Sequence, residues 1–139
     1  MTLGATAAYA AGLLTLAGAT AAALARFGPS WGIPDVRAAQ VGVAVATATE
    51  VVVFATLAYG LVAAPHRFLR AWLAATLVKI AAFGGAIGYA AAVHPAAARS
   101  LATGCAAAFV VLSHHEVFVL CRWSDRASKR RGPGGGDGP

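Results

Sequence analysis

Four stretches of this chain, residues 3–25, 38–63, 68–93 and 100–121, run for about twenty residues or more with hardly a charged side chain among them. That feature restricts the chain more than any other, because about 20 mostly apolar residues in a row is what a helix needs to cross the hydrocarbon of a bilayer. The first, "LGATAAYAAGLLTLAGATAAALA", stops at Arg26, and "FGPSWGIPD" follows with the Gly and Pro residues of a turn. The second ends at "AAPHR", the third is broken by His94-Pro95, and the fourth is closed by "RWSDRASKRR". A soluble four-helix bundle would carry a charged face on each helix, recurring every three or four residues. None of these segments has one, so the expected fold is all-α: an integral membrane bundle of four transmembrane helices within residues 1–123, with a disordered, basic Gly/Pro-rich tail at 124–139.

Composition agrees. Hydrophobic residues make up 59% of the 139 and charged ones 12%, about half the share of an ordinary soluble domain, with a mean hydropathy of +0.70. The net charge of +6 does not describe a nucleic-acid face, because five of the eleven Lys and Arg fall between Arg122 and Arg131. No aromatic-interleaved basic patch or zinc-finger spacing accompanies them. Cys105 and Cys121 are too far apart on one helix to pair, so they read as packing residues without a disulfide framework. The first segment does not read as a cleaved signal peptide, since its apolar run is long and no Lys or Arg precedes it.

Orientation follows from the basic residues in the links. With both termini cytoplasmic, the inside holds Arg67, Arg70, Arg122, Arg126, Lys129, Arg130 and Arg131, and the outside only Arg26, Arg37 and Arg99. Trp31, Trp72 and Trp123 fall near span ends, where indole rings anchor at the interface. Gly84 and Gly88 in "FGGAIGYA" have the small-xxx-small spacing that lets helix backbones approach closely in lipid, and are expected to pack within the bundle or to form a homo-oligomer contact.

The polar residues inside the spans carry the functional question. Glu50 lies mid-span in the second, Lys79 in the third, and Ser113, His114, His115 and Glu116 in the fourth. A charge at the bilayer centre costs at least ~2.5–3.5 kcal/mol on insertion scales, so each should face protein or water and find a partner. With Arg70 and Arg122 marking the cytoplasmic surface, a rise of ~1.5 Å per residue puts Lys79 about 14 Å in and Glu116 about 9 Å in. Glu50, counted from Ala63, is about 20 Å in. A lysine side chain can reach either carboxylate, and both pairings stand open. His114, His115 and Glu116 point about 100° apart in succession, so at most two share a site. Adjacent ligands diverge in the same way, which makes "HHE" a poor metal site, and His66 and His94 read as solvated loop histidines.

Four short spans, a basic link between the second and third, a lysine near the middle of "RAWLAATLVKIAAFGGAIGYAAAV" and a carboxylate late in "HHEVFVL" together resemble the ATP synthase protein I family, small membrane proteins encoded alongside F-type ATP synthases. Lys79 matches a polar lysine position that recurs there. The resemblance implies a cell inner membrane protein of bacteria that helps assemble the rotor ring of c subunits, with a possible role in supplying magnesium or another cation. No cofactor is expected. The enzymatic reading has little to rest on: the sequence holds no Walker loop, Gly-x-Ser-x-Gly elbow or HExxH motif. The alternative from a different class is a small magnesium or proton transporter acting as an oligomer, with Glu50, His114, His115 and Glu116 along a wet path.

Overall fold

The structure, a computed structural model, describes residues 3–63 and 68–130, with side chains described for 7–57, 70–119 and 121–122. Helix α1 spans Leu3–Phe27, α2 Val36–Ala63, α3 Phe68–Val93 and α4 Pro95–Arg130, and each is long and apolar enough to cross a membrane. The chain is therefore an all-α bundle of four candidate membrane spans, as its apolar segments imply. His66 and Arg67 lie outside the described residues, as do 131–139.

The helix boundaries have local causes. After α1 a single 3-10 turn, Pro29–Trp31, is closed by Gly32, whose φ of 72° is left-handed and suits glycine. Asp35 then caps α2, its Oδ1 accepting from the Ala38 N–H at 2.9 Å, so the helix begins at Val36, two residues earlier than expected. Between α3 and α4 only His94 intervenes, and Pro95 opens α4 at a position where the missing N–H costs nothing. This start precedes the expected residue 100.

The far end of α4 corrects the sequence reading of the tail. The helix continues through Arg130, so residues 124–130 are helical where a disordered tail was expected from 124. No Gly or Pro stands between Cys105 and Arg131, and nothing in the sequence stops the helix before Gly132-Pro133.

Helices α2 and α4 form the central pair, and α1 and α3 each pack against both. The central contact is backbone on backbone. A Cβ at Gly104 would fall on the Ala39 carbonyl, and one at Gly42 would fall on the Leu101 carbonyl and 2.8 Å from the Cys105 nitrogen. Cys105, buried there, donates its Sγ–H to the Gly42 carbonyl at 3.4 Å. Gly42 with Ala46, and Gly104 with Ala108, supply the small-xxx-small spacing at this crossing, and both alanines are fully buried.

Gly84 and Gly88 do not supply it. Both are exposed on α3, and a Cβ at either would meet nothing within 4 Å, so the expectation that they pack inside the bundle is not met. The reason is the turn of the helix. Their side of α3 is shared with Leu77, Ile80 and Tyr89, all exposed, whereas Ala75, Lys79 and Ala90 face inward. Val52, Val110 and Phe118 likewise point outward from α2 and α4. Apolar side chains on the outside and a charged cluster on the inside are the reverse of a soluble bundle, and they fit lipid as the surrounding medium.

Candidate functional site

Lys79 is the centre of the site. On α3 it projects between α2 and α4, where its Nζ lies 2.6 Å from Glu116 Oε2 and 2.8 Å from Glu50 Oε2. The bond to Glu116 is a directed hydrogen bond, Nζ–H donating to the carboxylate, while Glu50 Oε2 receives no well-aligned donor and is held by charge. The question of which carboxylate pairs with Lys79 therefore resolves as both. Relative exposures are 0% for Glu50, 7% for Lys79 and 5% for Glu116, so the three charges are shielded together.

The helix periods explain why these residues meet. Ser113 and Glu116, three apart on α4, share a side, and the Ser113 Oγ–H reaches Glu50 Oε1 at 3.4 Å. Thus α4 contacts both the ammonium and the second carboxylate. Below the cluster the Lys79 Nζ lies 5.8 Å from the centre of the Phe109 ring, itself set edge-on to Phe83 at 5.5 Å. An aromatic face under an ammonium adds a weak attraction and excludes water.

Two further groups come from α1 and α4. The Tyr9 ring stacks on Phe54 at 3.4 Å between centroids and on His115 at 5.3 Å. The imidazole of His115 rests on α1 at Gly12, where a Cβ would come within 2.6 Å of its Cε1 and Nε2. Glycine at 12 makes room for that ring. The Tyr9 hydroxyl and His115 Nε2 are both buried without a hydrogen-bond partner. All four helices thus contribute to one polar centre.

Of the expected polar positions, Glu50, Lys79, Ser113 and Glu116 come together, and His115 lies beside them. His114 does not: it is exposed on the outside of α4, with its Nδ1 2.6 Å from the Val110 carbonyl. A carbonyl only accepts, so Nδ1 carries a proton and Nε2 is the ring nitrogen turned outward. The divergence of consecutive helical residues gives this split. Tyr9, Gly12, Phe54 and Phe109 were not anticipated as parts of the site. The one available signal was Tyr9, a lone hydroxyl-bearing aromatic in the alanine-rich run "TAAYAAG".

Comparison with known proteins identifies no family: no family model matches the chain, and neither does any curated protein or solved structure.

Proposed function

We propose that the chain is a non-catalytic membrane accessory protein that works by contact with other spans, and that its partners are the membrane subunits of an F-type ATP synthase, whose c ring it helps assemble. The observation that carries the reading is the division of polar groups between the inside and the outside of the bundle. Glu50, Lys79 and Glu116 are paired with one another inside the bundle, while His114 stands on the apolar outer face of α4 with its Nε2 turned outward. The exposed hydroxyls of Thr15, Thr56, Thr76 and Thr103 are bonded back to carbonyls of their own helices and need no further partner. An outward imidazole at membrane depth has no such closure, and a polar group on a neighbouring span provides one. The rotor subunit as that neighbour is drawn from the resemblance of the third and fourth spans to ATP synthase protein I.

The test is capture from native membranes in mild detergent with a C-terminal tag. The expected result is enrichment of synthase membrane subunits over untagged membranes, reduced at least about fivefold by His114→Leu, which is the loss of roughly one hydrogen bond. Thermal unfolding of that variant should be unchanged, because the ring packs outside the bundle. Normal ring assembly in a deletion strain, together with no capture, would sink the proposal. Cation flux in vesicles holding only this protein, lowered by Glu50→Gln, would put the transporter reading in its place.

A further inference from the structure

The charges in the buried cluster do not balance. Two carboxylates meet one ammonium, so with all three ionised the interior of the bundle carries one uncompensated negative charge. Among the described groups packed around it there is no second lysine or arginine: α1 presents Tyr9, α2 presents Glu50, α3 presents Lys79, and α4 presents Ser113, His115 and Glu116. An isolated charge in a medium this apolar is far costlier than a neutral group, and a buried site takes up a counter-charge instead. The missing unit is one positive charge.

Geometry identifies its form. An alkali cation would bind where both carboxylates can reach it, but that position is filled by the Lys79 Nζ, at 2.6 and 2.8 Å from the two Oε2 atoms. Two oxygens that close to one nitrogen can stand no farther apart than the sum of those two distances, which brings the Glu50 and Glu116 carboxyl groups together around the ammonium. A proton on one of the two carboxyl groups supplies the charge without displacing the ammonium. A second, independent observation points to the same spot. The Tyr9 hydroxyl, on a residue 3% exposed, is unpartnered and lies within electrostatic reach of both carboxylates. The His115 Nε2, on the ring stacked against Tyr9, is a second buried polar atom without a partner beside the cluster.

We infer that Glu50 and Glu116, bridged by Lys79, form a binding site for one exchangeable proton shared between the two carboxyl groups, and that the bundle is electrically neutral only with that proton bound. Uptake is a simple protonation: a proton from water adds to one carboxylate oxygen, and the hydrogen bond to the other carboxylate holds it. The inference stands apart from the accessory role, since it concerns the chain alone.

The chain makes the measurement direct, because Glu50 and Glu116 are its only glutamates. Infrared spectroscopy of the full-length protein in lipid vesicles, with isotope-labelled glutamate, reads this site without mutation. The expected result is a protonated-carboxyl C=O band from one glutamate per chain, shifted by the label and by deuterium oxide. Glu50→Gln and Glu116→Gln should each abolish it, because either leaves a balanced one-to-one ion pair; Lys79→Met should preserve or enlarge it. Absence of a labelled carboxylic band at every pH at which the helices remain folded would overturn the inference. So would a band that survives both glutamine variants, or one displaced by sodium chloride but not by choline chloride at constant pH.

Discussion

A single ammonium held between two carboxylates makes the cost of substitution strongly unequal around the cluster. Lys79→Met strands Glu50 and Glu116 against each other in an apolar interior. Breaking a buried pair by removing one partner costs about 3–5 kcal/mol, much of it the price of the charge left behind. Glu50→Gln instead leaves Lys79 with Glu116, a one-to-one pair with a directed hydrogen bond at 2.6 Å, and keeps the shape of the side chain. Its expected cost is about 1 kcal/mol, the scale of one ordinary hydrogen bond. Thermal unfolding of the purified protein in detergent should therefore rank Lys79→Met far below Glu50→Gln. Equal losses would mean that the ammonium is not shared. The same residues show what could be read in advance. Glu50, Lys79 and Glu116 were legible as partners because a membrane charges so much for a lone ion, but the sharing was not, since a lysine of that reach is compatible with either carboxylate. Phe54 escaped notice because burial of an aromatic ring in an apolar span leaves no pattern, and only the hydroxyl of Tyr9 set it apart from its alanine neighbours.

Among the elements, α2 and α4 depend on two glycines where α3 carries its glycines outside. Gly104→Ala drives a methyl group into the Ala39 carbonyl, and the helices must separate to admit it, an overpacking cost of about 1–3 kcal/mol. Gly84→Ala meets nothing and removes a flexible residue from a helix interior, a gain of up to about 1 kcal/mol. Opposite shifts in the detergent unfolding midpoint are expected for these two one-methyl changes. Shifts of the same sign and size would mean that α2 and α4 do not touch through Gly104. The existence and approximate lengths of the four helices were legible because bilayer thickness sets a minimum run of apolar residues. Which glycines make the contact was not: in a chain with 16 glycines and still more alanines, small-xxx-small spacing recurs on faces that point at lipid as well as at protein. The extension of α4 through Arg130 was obscured for a different reason, since a polar, basic composition reads as solvated whether or not its backbone is helical.

For the whole molecule, we propose from the distribution of Arg and Lys that both ends of the chain are cytoplasmic, and the two cysteines offer a built-in check. Cys121 is exposed beside Arg122, and Cys105 is buried at the α2–α4 crossing. A membrane-impermeant maleimide should label inverted vesicles at Cys121 alone and leave intact cells unlabelled, with Cys105 reacting only after denaturation. Labelling of intact cells would reverse the topology. The crossing at Gly42 and Gly104 also has a mechanical meaning. It lies toward the end of the bundle where Asp35 and Ser100 join the links, and Glu50 stands eight residues further along α2, a distance of about 12 Å at the helical rise. Two rods pressed backbone to backbone at one point have a pivot there, and the buried charges sit to one side of it. A change in the spacing of Glu50 and Glu116 therefore acts on the helices through a lever about 12 Å long rather than at their point of contact.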